Sequence, residues 1–131
     1  MFFRFFIKTS VKESSISKDA EIKLKVVLGN DNVPEEIFWD ASQSEKPGEK
    51  RCEAVFISMW DTEKKESLVI DLWTKKMEVG EMNYHFYYTM MKMADTYEKA
   101  TSQGRISNRM REFAGEFAEM VLESFEGRKD S

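Results

Sequence analysis

His85, Cys52 and Asp71 are the residues whose chemistry first invites a catalytic reading. His85 would need a carboxylate or a nucleophile held beside it, and helical spacing supplies Glu81, four residues earlier. A Glu–His pair of that kind is ordinarily a solvent-facing contact. Cys52 lies between Arg51 and Glu53. Arg51 could lower its pKa, yet no helix start and no histidine adjoins it in sequence, and a small core thiol fits better. Asp71 interrupts an apolar strand pattern between Ile70 and Leu72. It marks either a cross-strand partner for a base or an exposed sheet face that carries a binding group. The carboxylate pairs Glu35-Glu36 and Asp61 with Glu63 fall in turns, where a solvated cap or reversal explains them. With one cysteine and one histidine, a single chain can build neither a multi-thiolate zinc site nor a two-histidine metal site, and an internal disulfide is excluded. There is no Gly-x-Ser-x-Gly elbow, phosphate-cradling glycine loop or dinucleotide fingerprint. The expectation is a chain with no catalytic, metal-binding or cofactor-binding residues; an enzyme or small-ligand binder would have to gather Asp71, His85 and Cys52 by folding.

Apolar chemistry is more abundant. Nine methionines include Met77, Met82, Met90, Met91 and Met93, which cluster around one helical stretch. Methionine fills irregular cores and also lines surfaces that accept several partners. Tyr84, Tyr87 and Tyr88 widen the apolar arc of that stretch beyond one stripe, and Trp39, Trp60 and Trp73 sit on strand patterns. Together they offer more ring surface than one sheet–helix seam can hide. Homo-oligomer formation or an apolar docking groove would cover the surplus. Those six aromatic residues, with Asp71 as a polar partner, are therefore the expected protein-contact residues.

The elements that must position them follow from periodicity. Glu21–Leu28 alternates, with Ile22, Leu24, Val26 and Leu28 on one face and lysines on the other. Gly29 to Asn32 supplies turn chemistry, and Val33-Pro34 leads into a short strand over Glu36–Asp40. Ala41–Lys50 is a polar loop. Arg51–Trp60 reads as one strand, apolar on both faces from Ala54 and so central in a sheet. A polar reversal over Asp61–Lys65 joins it to Glu66–Thr74, which makes the two an antiparallel hairpin. After Lys76 the period changes. Val79, Met82, Phe86, Met90, Met93, Ala94, Tyr97 and Ala100 form a helical stripe, with Gly104 expected as a left-handed cap. Ser107 or Asn108 is expected to cap a second helix, striped by Met110, Phe113, Ala114, Phe117, Ala118, Val121, Leu122 and Phe125 and ended by Gly127. Four strands followed by two helices predict an α+β fold: one four-stranded antiparallel sheet with two amphipathic C-terminal helices packed on one face.

At 131 residues the chain fits one domain, expected over 20–127 between an N-terminal extension (1–19) and a short tail (128–131). Residues 1–28 hold six basic and three acidic groups, yet the whole chain carries −4, so the rest is acidic. An acidic body repels polyanions, and nucleic acid is not an expected partner. Residues 1–8 are aromatic, but Arg4 and Lys8 break the run, so it suits neither a signal peptide nor a membrane span. Weak peripheral membrane contact or an added edge strand is what such a segment allows. A lone free thiol and no export signal favour a cytoplasmic setting.

The run Ile70-Asp71-Leu72-Trp73-Thr74-Lys75 with Met77, then Glu81-Met82, then Met93-Ala94-Asp95-Thr96-Tyr97-Glu98-Lys99-Ala100-Thr101, resembles the gliding-motility-associated GldC family of Bacteroidetes. Met110-Arg111-Glu112-Phe113, Phe117-Ala118-Glu119, Val33-Pro34-Glu35 with Ile37 and Trp39, and Ser58 to Asp61 extend the resemblance over about residues 20–126. It implies a small accessory protein linked to gliding motility and to the associated secretion apparatus, with no reaction, cofactor or functional residue to transfer. In architecture alone, the pattern is similar to the tetrameric export chaperone SecB. The expected function is therefore a non-enzymatic, homo-oligomeric interaction protein of that machinery. The alternative is a SecB-like holdase for exported polypeptides.

Overall fold

The structure is a computed structural model and describes residues 18–129, with side chains to Gly127. The expected membrane-contacting segment 1–8 and most of the expected extension and tail lie outside the described residues. Two compact units divide between Met77 and Glu78. Strands occupy the first and helices the second.

In the first unit, β1 (Ile22–Leu28), β2 (Pro34–Ala41) and β3 (Lys50–Cys52) make a three-stranded antiparallel sheet in the order β1-β2-β3. The register sets Val26, Ile37 and Cys52 side by side, and Leu24, Trp39 and Lys50 next to them. Residues paired across antiparallel strands point to the same face, so the apolar set of β1 meets the apolar set of β2 as alternation requires. Ile37 on the central strand is fully buried, and Ala41 nearly so. On the opposite face Lys25 extends over the ring of Phe38, its register partner, with the ammonium 5.5 Å from the ring centroid. The β1–β2 turn closes through the Gly29 amide, which donates to the Val33 carbonyl, and through Asn32, whose φ of 58° is one that asparagine tolerates.

β4 (Ala54–Asp61) and β5 (Glu66–Trp73) form a separate two-stranded ribbon. Its turn is built by Asp61, whose Oδ1 accepts the amides of Glu63 at 2.9 Å and Lys64 at 2.8 Å. Lys65 completes it in the left-handed region.

The expected single four-stranded sheet is thus corrected to a sheet of three strands and a ribbon of two. The expected strand Arg51–Trp60 is broken at Glu53, and its two pieces join different sheets. Tertiary hydrogen bonding causes the break. The Glu53 carbonyl accepts the Thr74 amide at 2.9 Å, and the Glu53 carboxylate accepts the Thr74 hydroxyl and, at 2.8 Å, the Arg51 Nε–H. Arg51 also reaches Glu36 on β2 at 3.2 Å. Thr74 is buried, so its hydroxyl needs this acceptor. The residue that apolar periodicity reads as mid-strand is thereby held as a corner.

The corner titrates. Hydrogen bonding from Thr74, with Arg51 adding its own hydrogen bond and charge, holds the Glu53 carboxyl below its ordinary value of 4.5. A carboxyl lowered in the folded state stabilises fully above its unfolded pKa, and that contribution is lost as pH falls through the folded one. Acid unfolding of the native chain should therefore steepen below roughly pH 4. In Glu53→Gln that part of the pH dependence should be flattened, as read by circular dichroism across an acid titration. Parallel acid profiles for the two proteins would show that the carboxylate does not hold the corner.

The second unit is a helical hairpin, α1 (Val79–Thr101) and α2 (Gly104–Lys129). At the start of α1 the Glu78 amide donates to the Glu81 carboxylate at 3.2 Å. The helix ends at Ser102, which takes the left-handed conformation at φ 58° and donates its amide to the Glu98 carbonyl. The expected cap at Gly104 is corrected accordingly: Gly104 is the first residue of α2. A Cβ there would lie 3.1 Å from Glu98 Oε1. The amides of Ile106 and Ser107 turn back to the Gln103 carbonyl, so α2 begins ahead of the expected Ser107 or Asn108 cap and runs on through Gly127. Fully buried Ala94, Ser107 and Ala114 lie along the hairpin. Arg111 ties it together, donating from Nη2 to Asp95 at 3.0 Å and Glu98 at 2.9 Å on α1.

Candidate functional site

The β4–β5 register places Phe56 opposite Asp71, Ser58 opposite Val69, Trp60 opposite Ser67 and Trp73 opposite Ala54. All eight therefore share one face of the ribbon. On it Trp60 is 64% exposed, Trp73 53% and Phe56 45%, with Val69 also open to solvent. Trp60 and Trp73 stand near opposite ends, roughly 20 Å apart at the usual rise per strand residue. Large rings left half in water along one ribbon face mark a surface suited to contact with other protein.

Asp71 is the only ionisable residue among those eight and is exposed. Among the described residues it makes no ion pair or side-chain hydrogen bond. The carboxylate is thus available to a cation or an amide brought by a partner. Both long edges of the ribbon are also without a strand neighbour among the described residues, because β4 pairs only with β5. Unpaired strand edges accept further strands by main-chain hydrogen bonding.

The other expected contact residues are placed elsewhere. Trp39 is half-buried in the three-stranded sheet, with the Lys50 ammonium 4.4 Å from its ring centroid. Tyr84 and Tyr88 stand one helical turn apart on α1 and are both largely exposed. Tyr87 is half-buried and packs edge-on against Tyr88 at 5.6 Å. The seven residues therefore do not make one patch. Trp60, Asp71 and Trp73 share a face, Tyr84 and Tyr88 share a helix flank, and Trp39 and Tyr87 are partly covered. Phe56 is the exposed ring on this face that sequence reasoning missed. The signal was its position two and four residues before Ser58 and Trp60, but placing it beside Asp71 requires the strand register.

Cys52 lies on β3, where burial and the neighbouring Glu53 push its thiol above the ordinary value, away from the nucleophilic thiolate. His85 on α1 stacks edge-on with Phe86 at 6.3 Å. No cluster of three or more potential metal ligands occurs among the described residues.

A family model described as gliding motility-associated protein GldC-like matches residues 34–123, from β2 into α2. The chain belongs to this GldC-like family. Membership associates it with gliding motility, and the matched region contains the whole β4–β5 ribbon and all of α1. Comparison with curated proteins and with solved structures found no match to either. Among the described residues, no helix is long and apolar enough to cross a membrane.

Proposed function

We propose that this GldC-like protein is a non-enzymatic, homo-oligomeric interaction protein that supports gliding motility or its linked secretion machinery from the cytoplasm. The observation that carries the reading is the Trp60–Phe56–Trp73 face with Asp71 set among the rings. The chemistry that fits it is a partner with apolar side chains spaced along an extended segment and a basic or amide donor for Asp71. Exposed aromatic side chains at the centre of an interface commonly dominate its energy. The raised thiol pKa of Cys52 supports binding over nucleophilic catalysis.

The test is affinity capture from the native host with the wild type and a Trp60→Ala/Trp73→Ala double variant in parallel. Both tryptophans are more than half exposed, so the variant should keep the wild-type circular dichroism. Partner recovery should fall at least about tenfold. Equal recovery by both proteins would remove the ribbon face from the function.

The open edges of the ribbon favour one second reading, a holdase that adds an extended client strand. Light scattering during aggregation of an unrelated client decides it. A several-fold excess of this protein should suppress the signal, and no suppression defeats the chaperone version.

A further inference from the structure

The helical hairpin carries an apolar surface of its own. Val79, Phe86 and Met93 recur every seven residues on α1, and Ile106, Phe113 and Met120 do the same on α2. All six are between 46% and 68% exposed. The two stripes face the same way, because Met93, Ile106 and Phe113 together line a recess of about 390 Å³ with Met90, Arg109 and Met110. A spacing of seven, held over successive turns, keeps a stripe in line when helices supercoil around a partner.

The stripes are also in step. Arg111 on α2 pairs with both Asp95 and Glu98 on α1, and Met93 lines one recess with Phe113, which sets Phe113 near the level of Met93. Seven residues further along each antiparallel helix, Met120 comes level with Phe86. Each level therefore holds one methionine and one phenylalanine, with their order reversed between the two levels. A second hairpin turned over onto this face by a two-fold axis, whether along the helices or across them, sets methionine against phenylalanine at every crossing. Sulfur–aromatic contacts of this kind are favourable, and self-complementarity is what a two-fold interface demands.

We infer that the 79/86/93 and 106/113/120 face docks on the same face of a second copy of this chain, so that two hairpins close a four-helix assembly. Half-exposed, six such side chains hold roughly 600 Å² in water, against about 800 Å² buried per partner in a standard interface. The rims and the flanking Met90 and Met110 supply the remainder. Face-to-face packing of two hairpins with knobs seated between helices is the geometry of left-handed four-helix bundles. The inference rests on the oligomeric part of the proposed function and assigns it to a surface distinct from the ribbon.

Size-exclusion chromatography with multi-angle scattering on the full chain tests it. The wild type should run at a mass of at least two chains. Phe113→Glu, which puts a charge at the centre of the seam, should halve that mass with its helical circular dichroism unchanged. Leu122→Glu, on another flank of α2 and 63% exposed, should leave the mass as in the wild type. A Phe113→Glu protein that stays at wild-type mass overturns this surface while leaving the oligomeric reading intact. A wild type that is monomeric at high concentration overturns both. Hydroxyl-radical footprinting of the wild type answers independently of whether the variant folds. Labelling at Phe86, Met93, Phe113 and Met120 should fall severalfold as concentration rises from low to high micromolar. Labelling that stays high throughout overturns the inference, and so does protection in a protein that scattering finds monomeric at the same concentration, which would mean that another part of the same chain covers the face.

Discussion

Ile37→Ala is expected to lower the stability of the strand unit by about 3 kcal/mol, because the side chain is fully buried and leaves a cavity that its neighbours fill only in part. Ile37 lies on the central strand of the three-stranded sheet, with Val26 on one side and Cys52 on the other. Neither β1 nor β3 can close over the vacancy without giving up its register. Ile37→Val removes one methyl group and should cost about 1 kcal/mol. Leu68→Ala on the ribbon removes a side chain that is more than half in water and should cost about 0.5 kcal/mol or less. Urea titration followed by tryptophan fluorescence and circular dichroism would rank the three. A loss for Ile37→Ala no larger than that for Leu68→Ala would place the core of this unit elsewhere.

Arg111→Ala is expected to lower the melting temperature of the helical hairpin. Solvent moderates the effect, since both carboxylates that Arg111 meets are close to half exposed. Three consequences act together. Two charge-assisted hydrogen bonds are lost, Asp95 and Glu98 are left as uncompensated like charges one turn apart, and Asn108 loses the donor that reaches its Oδ1 at 2.8 Å. The two carboxylates hold the guanidinium pKa above its ordinary value, with Glu98 contributing most. Arg111→Lys should restore only part of the loss, because an ammonium lacks the planar fork that spans two acceptors. The loss should also shrink as salt is raised, which separates an ionic tie from one that only packs. Thermal melting of the helical signal at low and high ionic strength would measure it, and a salt-independent loss would defeat the ionic account.

How far the chain could be read before folding depends on how local each cause is. The alternation of Ile22, Leu24 and Val26 against two lysines holds, since its period is a property of the strand itself, but the expected Leu28 falls after a register shift at Val27 and is half exposed. The hairpin of β4 and β5 and its polar turn are local as well, and so are both helical stripes. The break at Glu53 was not legible. Its cause is Thr74, twenty-one residues away, whose buried hydroxyl and amide both turn to Glu53. Gly104 misled for a related reason: glycine after a helix usually signals a left-handed cap, whereas here Ser102 takes that conformation and the glycine opens the next helix.

For the candidate site, residue types suggested apolar contact, and strand alternation placed Val69, Asp71 and Trp73 on one face. Joining Trp60 and Phe56 to them needed the inter-strand register, which no property of either strand alone specifies. Composition and motif content directed attention from catalysis to protein contact, and sequence likeness pointed to the family whose model matches residues 34–123. What only the tertiary structure decided is which rings are covered and which are left in water. Trp39 and Trp60 are the same residue type, each on a strand, yet one lies half-buried beneath Lys50 and the other stands open on a ribbon. Exposure belongs to the neighbours that folding brings close, and those neighbours come from distant parts of the chain.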